Sequence, residues 1–244
     1  MNYESITTGG QLGELCQELA ACPWIALDTE FVSENTYRPE LCLIQVSTPQ
    51  RLAMIDTIVV QDVRPFWQAV VDGNHETIVH AARGEMEFCL LAVDQLPKRL
   101  FDVQLAAGLA GIEYPAGYGT LVAKLLGESS QKQETRTDWR KRPLSKRQID
   151  YAVQDVYYLG LIRDRTYALL EKLGRLPWMQ EETEAWCKEL CRAMSSERWR
   201  RVSGNSGLDQ RSLAIVHELW KWREGEAKRR DQPARRVLRD DLII

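Results

Sequence analysis

The sequence lacks the features of membrane and secreted proteins. Its longest apolar runs, such as residues 90–93, are far shorter than the roughly 20 residues that a membrane-spanning helix needs. Residues 1–4 lack the basic start and apolar core of a signal peptide, so we expect a cytoplasmic protein with no membrane contact. The 32 Lys and Arg residues are outnumbered by 35 acidic ones, which excludes a general polycation and makes any nucleic-acid role local.

The glycine, proline and cysteine content argues against further classes of protein, including disulfide-dependent and zinc-binding ones. The chain has 15 Gly and 9 Pro in 244 residues, with 44% hydrophobic and 27% charged residues, which is ordinary globular composition. Of the six cysteines, only Cys187 and Cys191 have the spacing of half a zinc site, and no second pair of ligands accompanies them. We therefore expect reduced thiols, no structural zinc, and one large domain with at most a small companion.

Apolar spacing predicts an α/β fold. A short helix over residues 11–21 is followed by three strands that we interpret as a meander: 24–31, 41–47 and 52–56. Helices and strands then alternate. A capping box at Ser145 and Gln148 and helical apolar spacing predict one long helix over 145–173.

Two acidic residues end the first predicted strand. Asp28 and Glu30 are two residues apart, so the period of a strand places both carboxylates on one face. Acid-x-acid is a common pattern, and the simpler interpretation is a pair of solvated carboxylates. The functional interpretation is favoured because an apolar strand carries them to a sheet edge, where unpaired like charges are unfavourable.

Three further residues complete a possible site. Tyr151 and Asp155 are four apart on the long helix and share a face, and Glu85 opens a helix after His80. Each signal alone is weak. Together they describe four carboxylates in one cleft, and oxygen-only ligands suit Mg²⁺ or Mn²⁺. Two such ions about 4 Å apart are the arrangement for phosphodiester hydrolysis.

Several segments of the sequence resemble a known family. Four segments look like the exonuclease motifs and the preceding loop of ribonuclease D, in the tyrosine subclass of the DEDD superfamily of 3′→5′ exonucleases. They are ALDTEF at 26–31, HAARGE at 80–85, RTDWRKRPLS at 136–145 and YAVQDV at 151–156. The connecting segments YRPELCLIQ at 37–45 and FD at 101–102 also agree, so the resemblance covers about residues 1–175.

The resemblance implies a ribonuclease H-like α/β domain, with a mixed sheet flanked by helices, followed by a small all-α region. It implies two Mg²⁺ or Mn²⁺ ions held by the carboxylates of Asp28, Glu30, Glu85 and Asp155, with Tyr151 orienting the attacking water or hydroxide. Lys132 matches a family lysine that faces the substrate, and Phe31 and His80 match positions near the terminal nucleotide. Thr29 and Trp139 are further candidates for substrate binding.

Glu85 departs from the family pattern, which has Asp at this position. Glutamate offers the same two oxygens one methylene farther from the backbone. Glu87 is a neighbouring alternative, but two residues along a helix it points elsewhere, so we assign Glu85.

The tail resembles the first half of the helical HRDC domain that follows ribonuclease D nucleases, through LAIVHELWKWRE at 213–224, AKRRDQP at 227–233 and VLRDD at 237–241. We therefore expect an exonuclease domain over residues 1–175, a helix and linker over 176–207, and a partial HRDC-like region over 208–244.

A basic segment precedes and begins the long helix. Between residues 132 and 147 seven Lys and Arg face two acids, with Trp139 among them, which suits the binding of single-stranded RNA through charge and stacking. A solvated surface is the simpler interpretation of such a segment.

The leading hypothesis is a monomeric, divalent-metal-dependent 3′→5′ exoribonuclease that trims single-stranded 3′ ends of structured RNA precursors such as tRNA. Two alternatives stay open: an exonuclease acting on DNA, and a non-catalytic RNA-binding module in which Glu85 impairs the metal site.

Overall fold

The computed structural model describes residues 2–129, 137–195 and 198–244. The chain forms two compact units. The first consists of Met1–Glu30 and Leu41–Cys191, and the second of Phe31–Glu40 and Arg192–Ile244. Within the described ranges, no helix combines the length and the apolar character that crossing a membrane would require.

A mixed sheet of six strands, counted over the described residues, organises the first unit. The strands are β1 (Glu4–Ile6), β2 (Trp24–Val32), β3 (Glu40–Ser47), β4 (Leu52–Asp56), β5 (Glu76–Val79) and β6 (Leu100–Asp102). Their order is β1-β4-β3-β2-β5-β6, with β3 and β4 antiparallel. The pairs β1–β4, β2–β5 and β5–β6 are parallel. The predicted neighbours 24–31, 41–47 and 52–56 are therefore adjacent, and β2 is central.

Helices flank this sheet: α1 (Gly9–Leu19), α2 (Thr57–Val60), α3 (Arg64–Asp72), α4 (Arg83–Val93), α5 (Val103–Leu109), α6 (Tyr118–Leu126), α7 (Lys146–Tyr157), α8 (Leu159–Lys172) and α9 (Leu176–Ser195). One core cluster joins the strands to α5, α6 and α8, with Ala26, Ile78, Phe101, Val103, Leu121 and Ile162 among its members. This packing fixes the position of β2 against the helices that follow it. The α/β prediction is confirmed.

The predicted single helix over 145–173 is wrong in one respect, because α7 and α8 are separate. They meet at Tyr158, whose backbone N–H lies 3.3 Å from the hydroxyl oxygen of Tyr118. The start agrees with the prediction, since Ser145 and Gln148 form the expected reciprocal capping box. β1 was not predicted, since three residues are too few to show an alternating pattern.

The second unit is built around α10 (Gln210–Arg230), with the short helix α11 (Ala234–Val237) and two 3₁₀ turns, Arg198–Arg201 and Asp240–Leu242. Its small core consists of Val202, Val216 and Ile243. The buried guanidinium of Arg223 donates to Asp240 at 2.7 Å, which ties the last turn to α10.

Candidate active site

Strand β2 carries two carboxylates out of the core. Ile25, Ala26 and Leu27 are fully buried, and the burial then alternates, with Asp28 and Glu30 half-buried on one face and Thr29 buried on the other. This alternation is the period of two that a strand imposes. The sequence-based expectation that both carboxylates share a face is confirmed.

Helix α7 brings the other two groups to the same place. Its apolar face, Ala152, Val153 and Val156, is buried, which leaves Tyr151 and Asp155 half-buried on an adjoining face. The Tyr151 hydroxyl and the Asp155 carboxylate, one turn apart, interact closely enough to shift each other's pKa. The helical spacing thus produces an acid and a hydroxyl that act as one unit.

The carboxylates of Asp28, Glu30 and Asp155 converge, with one oxygen of each lying within 4.8 Å of the others. Burial raises the pKa of Asp28 to about 6. Burial, and then the charge of Asp28, raise the pKa of Asp155 to about 8 and that of Glu30 to about 10. Raised rather than lowered values show that the protein itself does not neutralise this cluster.

A bound divalent cation fits this donor set. Three carboxylates within 4.8 Å of one another offer only hard oxygen ligands, which is the chemistry that Mg²⁺ and Mn²⁺ prefer. A cation would also offset the burial and the repulsion between acids that raise the pKa of Glu30.

Glu85 lies beside this cluster but is not a member of the close group of three. It occupies the first turn of α4, is 5% exposed, and accepts a hydrogen bond from the Thr29 hydroxyl at 2.9 Å. Burial and the charge of Asp28 raise its pKa to about 8, and Glu85 in turn contributes to the raised pKa of Glu30. The four acids therefore interact electrostatically. The Thr29 hydroxyl holds Glu85, and the substrate contact of Thr29 stays a prediction.

A cavity of about 180 Å³ opens onto the carboxylates, and its walls include Asp28, His80, Gly117, Tyr118, Tyr151 and Asp155. One ring nitrogen of His80, Nε2, lies 2.8 Å from the Ala116 carbonyl oxygen. The structure thus places His80 in the wall of the same cavity as Asp28 and Asp155, and its contact with the terminal nucleotide stays a prediction.

The other predicted substrate contacts have different outcomes. Trp139 is only 2% exposed and packs on Tyr151, with ring centroids 6.2 Å apart, so stacking on an RNA base is not available to it and this prediction is wrong. Its position supports Tyr151 instead. Phe31 is 38% exposed at the end of β2, and Lys132 lies outside the described residues.

Some basic side chains of the predicted basic surface form ion pairs within the protein. Arg142 donates two hydrogen bonds to Asp56, at 2.5 and 2.8 Å, and a third to the Cys42 carbonyl at 2.9 Å, so it anchors the segment before α7. Arg140 pairs with Asp138 at 2.9 Å. Lys141, Lys146 and Arg147 are exposed. Sequence reasoning missed the structural role of Arg142, because nothing local indicates a partner 86 positions away.

Comparison with known proteins agrees with this geometry. A family model described as 3′-5′ exonuclease matches residues 3–171. The chain belongs to this 3′-5′ exonuclease family. A second model, of the HRDC domain, matches residues 212–244. The predicted resemblance of the tail is therefore confirmed as well.

The curated relatives that match are ribonucleases D. The chain is 35% identical to ribonuclease D of Escherichia coli (strain K12) over 252 residues, which cover 100% of this chain and 65% of that protein. It is 38% identical to ribonuclease D of Acidiphilium cryptum over 240 residues, which cover 98% of this chain and 61% of the relative. The chain thus spans about three fifths of the length of the relatives it matches.

Solved structures extend the similarity to three dimensions. The crystal structure of E. coli RNase D, described as an exoribonuclease involved in structured RNA processing, superposes with a TM-score of 0.90 at 34% identity. It covers 100% of this chain and 65% of that one. The catalytic core of RRP6 from Trypanosoma brucei, at 21% identity and a TM-score of 0.77, shares the fold. The predicted resemblance to ribonuclease D is confirmed.

Proposed function

We propose that this chain is a divalent-metal-dependent exoribonuclease that removes nucleotides one at a time from single-stranded 3′ ends of structured RNA precursors such as tRNA. The observation that carries the proposal is the convergence of Asp28, Glu30 and Asp155 within 4.8 Å, with Tyr151 in the wall of the same cavity. Membership of the 3′-5′ exonuclease family and similarity to ribonucleases D support it.

Asp28, Glu30 and Asp155 are the residues we assign to two Mg²⁺ or Mn²⁺ ions, with Glu85 completing the set from α4. When bound, such ions neutralise the charge that develops on a phosphodiester and make water a better nucleophile. The Thr29 hydroxyl holds the Glu85 carboxylate through the 2.9 Å hydrogen bond.

Tyr151 serves as an orienting group in this proposal. Burial and the neighbouring acids raise the pKa of its hydroxyl far above the usual range, so it keeps its proton at neutral pH. A protonated hydroxyl beside Asp155 directs an attacking water by hydrogen bonding and does not act as a base. His80, in the wall of the same cavity, and Phe31, next to Glu30 on β2, are assigned to the terminal nucleotide.

The domain organisation we infer is an exonuclease domain over residues 1–175, a helix and linker over 176–207, and an HRDC-like region over 208–244. Matches of the two family models to residues 3–171 and 212–244 support it. A monomeric state and a cytoplasmic location stay predictions from the sequence.

The test is a time course on single-stranded RNA carrying a 5′ or a 3′ label, with DNA of the same sequence, in Mg²⁺, Mn²⁺ or EDTA. We expect the 5′-labelled RNA to shorten one nucleotide at a time, the 3′ label to appear at once as mononucleotide, and EDTA to stop both. Asp28→Asn should abolish turnover, while Asp164→Asn, which changes an acid on α8 with 64% side-chain exposure, should not.

Other outcomes would contradict the proposal. Internal fragments, or full activity in EDTA, would refute a metal-dependent exonuclease. Preference for DNA over RNA would favour the DNA-directed alternative. RNA binding without hydrolysis would favour the non-catalytic module.

A further inference from the structure

The hydroxyl of Tyr118 interrupts the helical segment that carries Asp155. It donates a hydrogen bond to the Gln154 carbonyl oxygen and accepts one from the Tyr158 backbone N–H at 3.3 Å. In a continuous α-helix, this N–H and this carbonyl, four residues apart, bond to each other. One side-chain hydroxyl therefore replaces one backbone hydrogen bond of the helix.

The interruption coincides with a one-residue break between two helices. Helix α7 ends at Tyr157, α8 begins at Leu159, and the residue between them has φ −95° and ψ −5°. Residues inside an α-helix have φ of about −63° and ψ of about −42°, so the backbone angles of the residue between α7 and α8 differ from the usual helical ones. A side chain inserted between backbone partners is an established way of interrupting a helix. The break thus coincides with the hydroxyl of Tyr118, 40 positions away in the sequence.

The position of the break matters because of what precedes it. Gln154, whose carbonyl Tyr118 holds, is the residue immediately before Asp155, and Tyr151 lies one turn earlier. The last two turns of α7 thus present the hydroxyl and the acid of the candidate site, while the end of α7 is held from α6.

Tyr118 is itself held in place on the cavity side. It is 9% exposed, and its ring meets the edge of the His80 ring with centroids 5.9 Å apart. Both rings line the cavity that contains Asp28 and Asp155. Removing only the hydroxyl would leave these ring contacts and take away only the two hydrogen bonds.

We propose that Tyr118 is a positioning residue for the metal site: its hydroxyl fixes the end of α7 so that Asp155 meets Asp28 and Glu30, and so that Tyr151 faces the reacting phosphate. The inference rests on the metal site proposed above. Groups that orient metal ligands without binding the ion typically change metal affinity or activity by about 10- to 100-fold when they are removed.

The test compares Tyr118→Phe with Tyr157→Phe, which removes an exposed hydroxyl from the last residue of α7. We expect Tyr118→Phe to raise the Kd for Mn²⁺ at least fivefold, measured by calorimetry without RNA, and to lower kcat on single-stranded RNA about tenfold. KM for RNA should stay within a factor of two. All assays run well below the unfolding midpoint of each variant, so that lost stability alone cannot alter them.

The outcomes separate the two proposals. If kcat and the Kd for Mn²⁺ of Tyr118→Phe stay within twofold of the parent, Tyr118 has only a packing role and the inference is wrong. The inference also fails if KM alone changes, because that result places the hydroxyl on the RNA. A parent that neither binds Mn²⁺ nor hydrolyses RNA would instead refute the metal site.

Discussion

Replacing Asp155 by Asn should stabilise the metal-free protein while it destroys turnover. A pKa of about 8 instead of 3.8 means that the folded state holds this proton at pH 7 while the unfolded chain has lost it, a difference of about 4 kcal/mol. Asparagine has the same shape, carries no charge, and can still accept a hydrogen bond from Tyr151. We therefore expect Asp155→Asn to raise the free energy of unfolding in EDTA by at least about 2 kcal/mol at pH 8.

The stability difference between Asp155→Asn and the parent should also depend on pH, in a direction that the raised pKa determines. Because folding raises the pKa of Asp155, its stabilising contribution is complete below pH 3.8 and is lost as the pH rises toward 8. The advantage of Asp155→Asn over the parent should therefore grow by about 2–3 kcal/mol between pH 5.5 and pH 8. Added Mg²⁺ should stabilise the parent more than the variant, since the variant has lost one ligand.

Urea unfolding followed by tryptophan fluorescence, in EDTA and in Mg²⁺ at both pH values, measures these differences. Asp164→Asn is the matched control, because it removes an acid whose side chain is 64% exposed and should change the free energy of unfolding by less than about 0.5 kcal/mol. If Asp155→Asn lowers the stability in EDTA at pH 8, or changes it equally at both pH values, the acids do not form an uncompensated cluster.

Four further substitutions test the site and the segment that supports it. Tyr151→Phe should lower kcat by about 10²- to 10⁴-fold with RNA binding preserved. A change in kcat of less than twofold would show that the Tyr151 hydroxyl has no role in turnover. Arg142→Met should lower the free energy of unfolding by about 2–4 kcal/mol in urea, because Asp56 loses its partner; an unchanged midpoint contradicts this. Glu85→Asp and Thr29→Val should each lower kcat, and the double variant should lose less than the two effects combined. Independent effects would show that the 2.9 Å hydrogen bond is unimportant.

Local periodicity accounts for what the sequence predicted correctly. Asp28 and Glu30 share a face because strands repeat every two residues, and Tyr151 meets Asp155 because helices repeat every 3.6. Both rules require only the residues in question and their immediate neighbours. The α/β order and the capping box at Ser145 follow from the same kind of local pattern.

Long-range contacts account for what the sequence could not predict. The break at Tyr158 depends on a hydroxyl 40 residues earlier, and Trp139 is buried because the segment that carries it is anchored by Arg142 on Asp56, 86 positions away. Composition made the segment around Trp139 resemble an exposed basic surface. Charge count alone does not distinguish a guanidinium that faces solvent from one that pairs with a partly buried carboxylate.

Glu85 shows how the two kinds of information combine. The family pattern makes glutamate an exception at this position, and its extra methylene adds a rotatable bond and more than 1 Å of reach, in a site where a 1 Å displacement can cost about 100-fold. The structure supplies a compensation, since Thr29 lies between the two acids of β2 and donates to Glu85 at 2.9 Å in a buried setting. A fixed hydrogen bond removes the freedom that the longer side chain introduces. An aspartate would have to reach the same hydroxyl with a shorter side chain, so the residue at position 85 and its threonine partner are best understood as one structural unit.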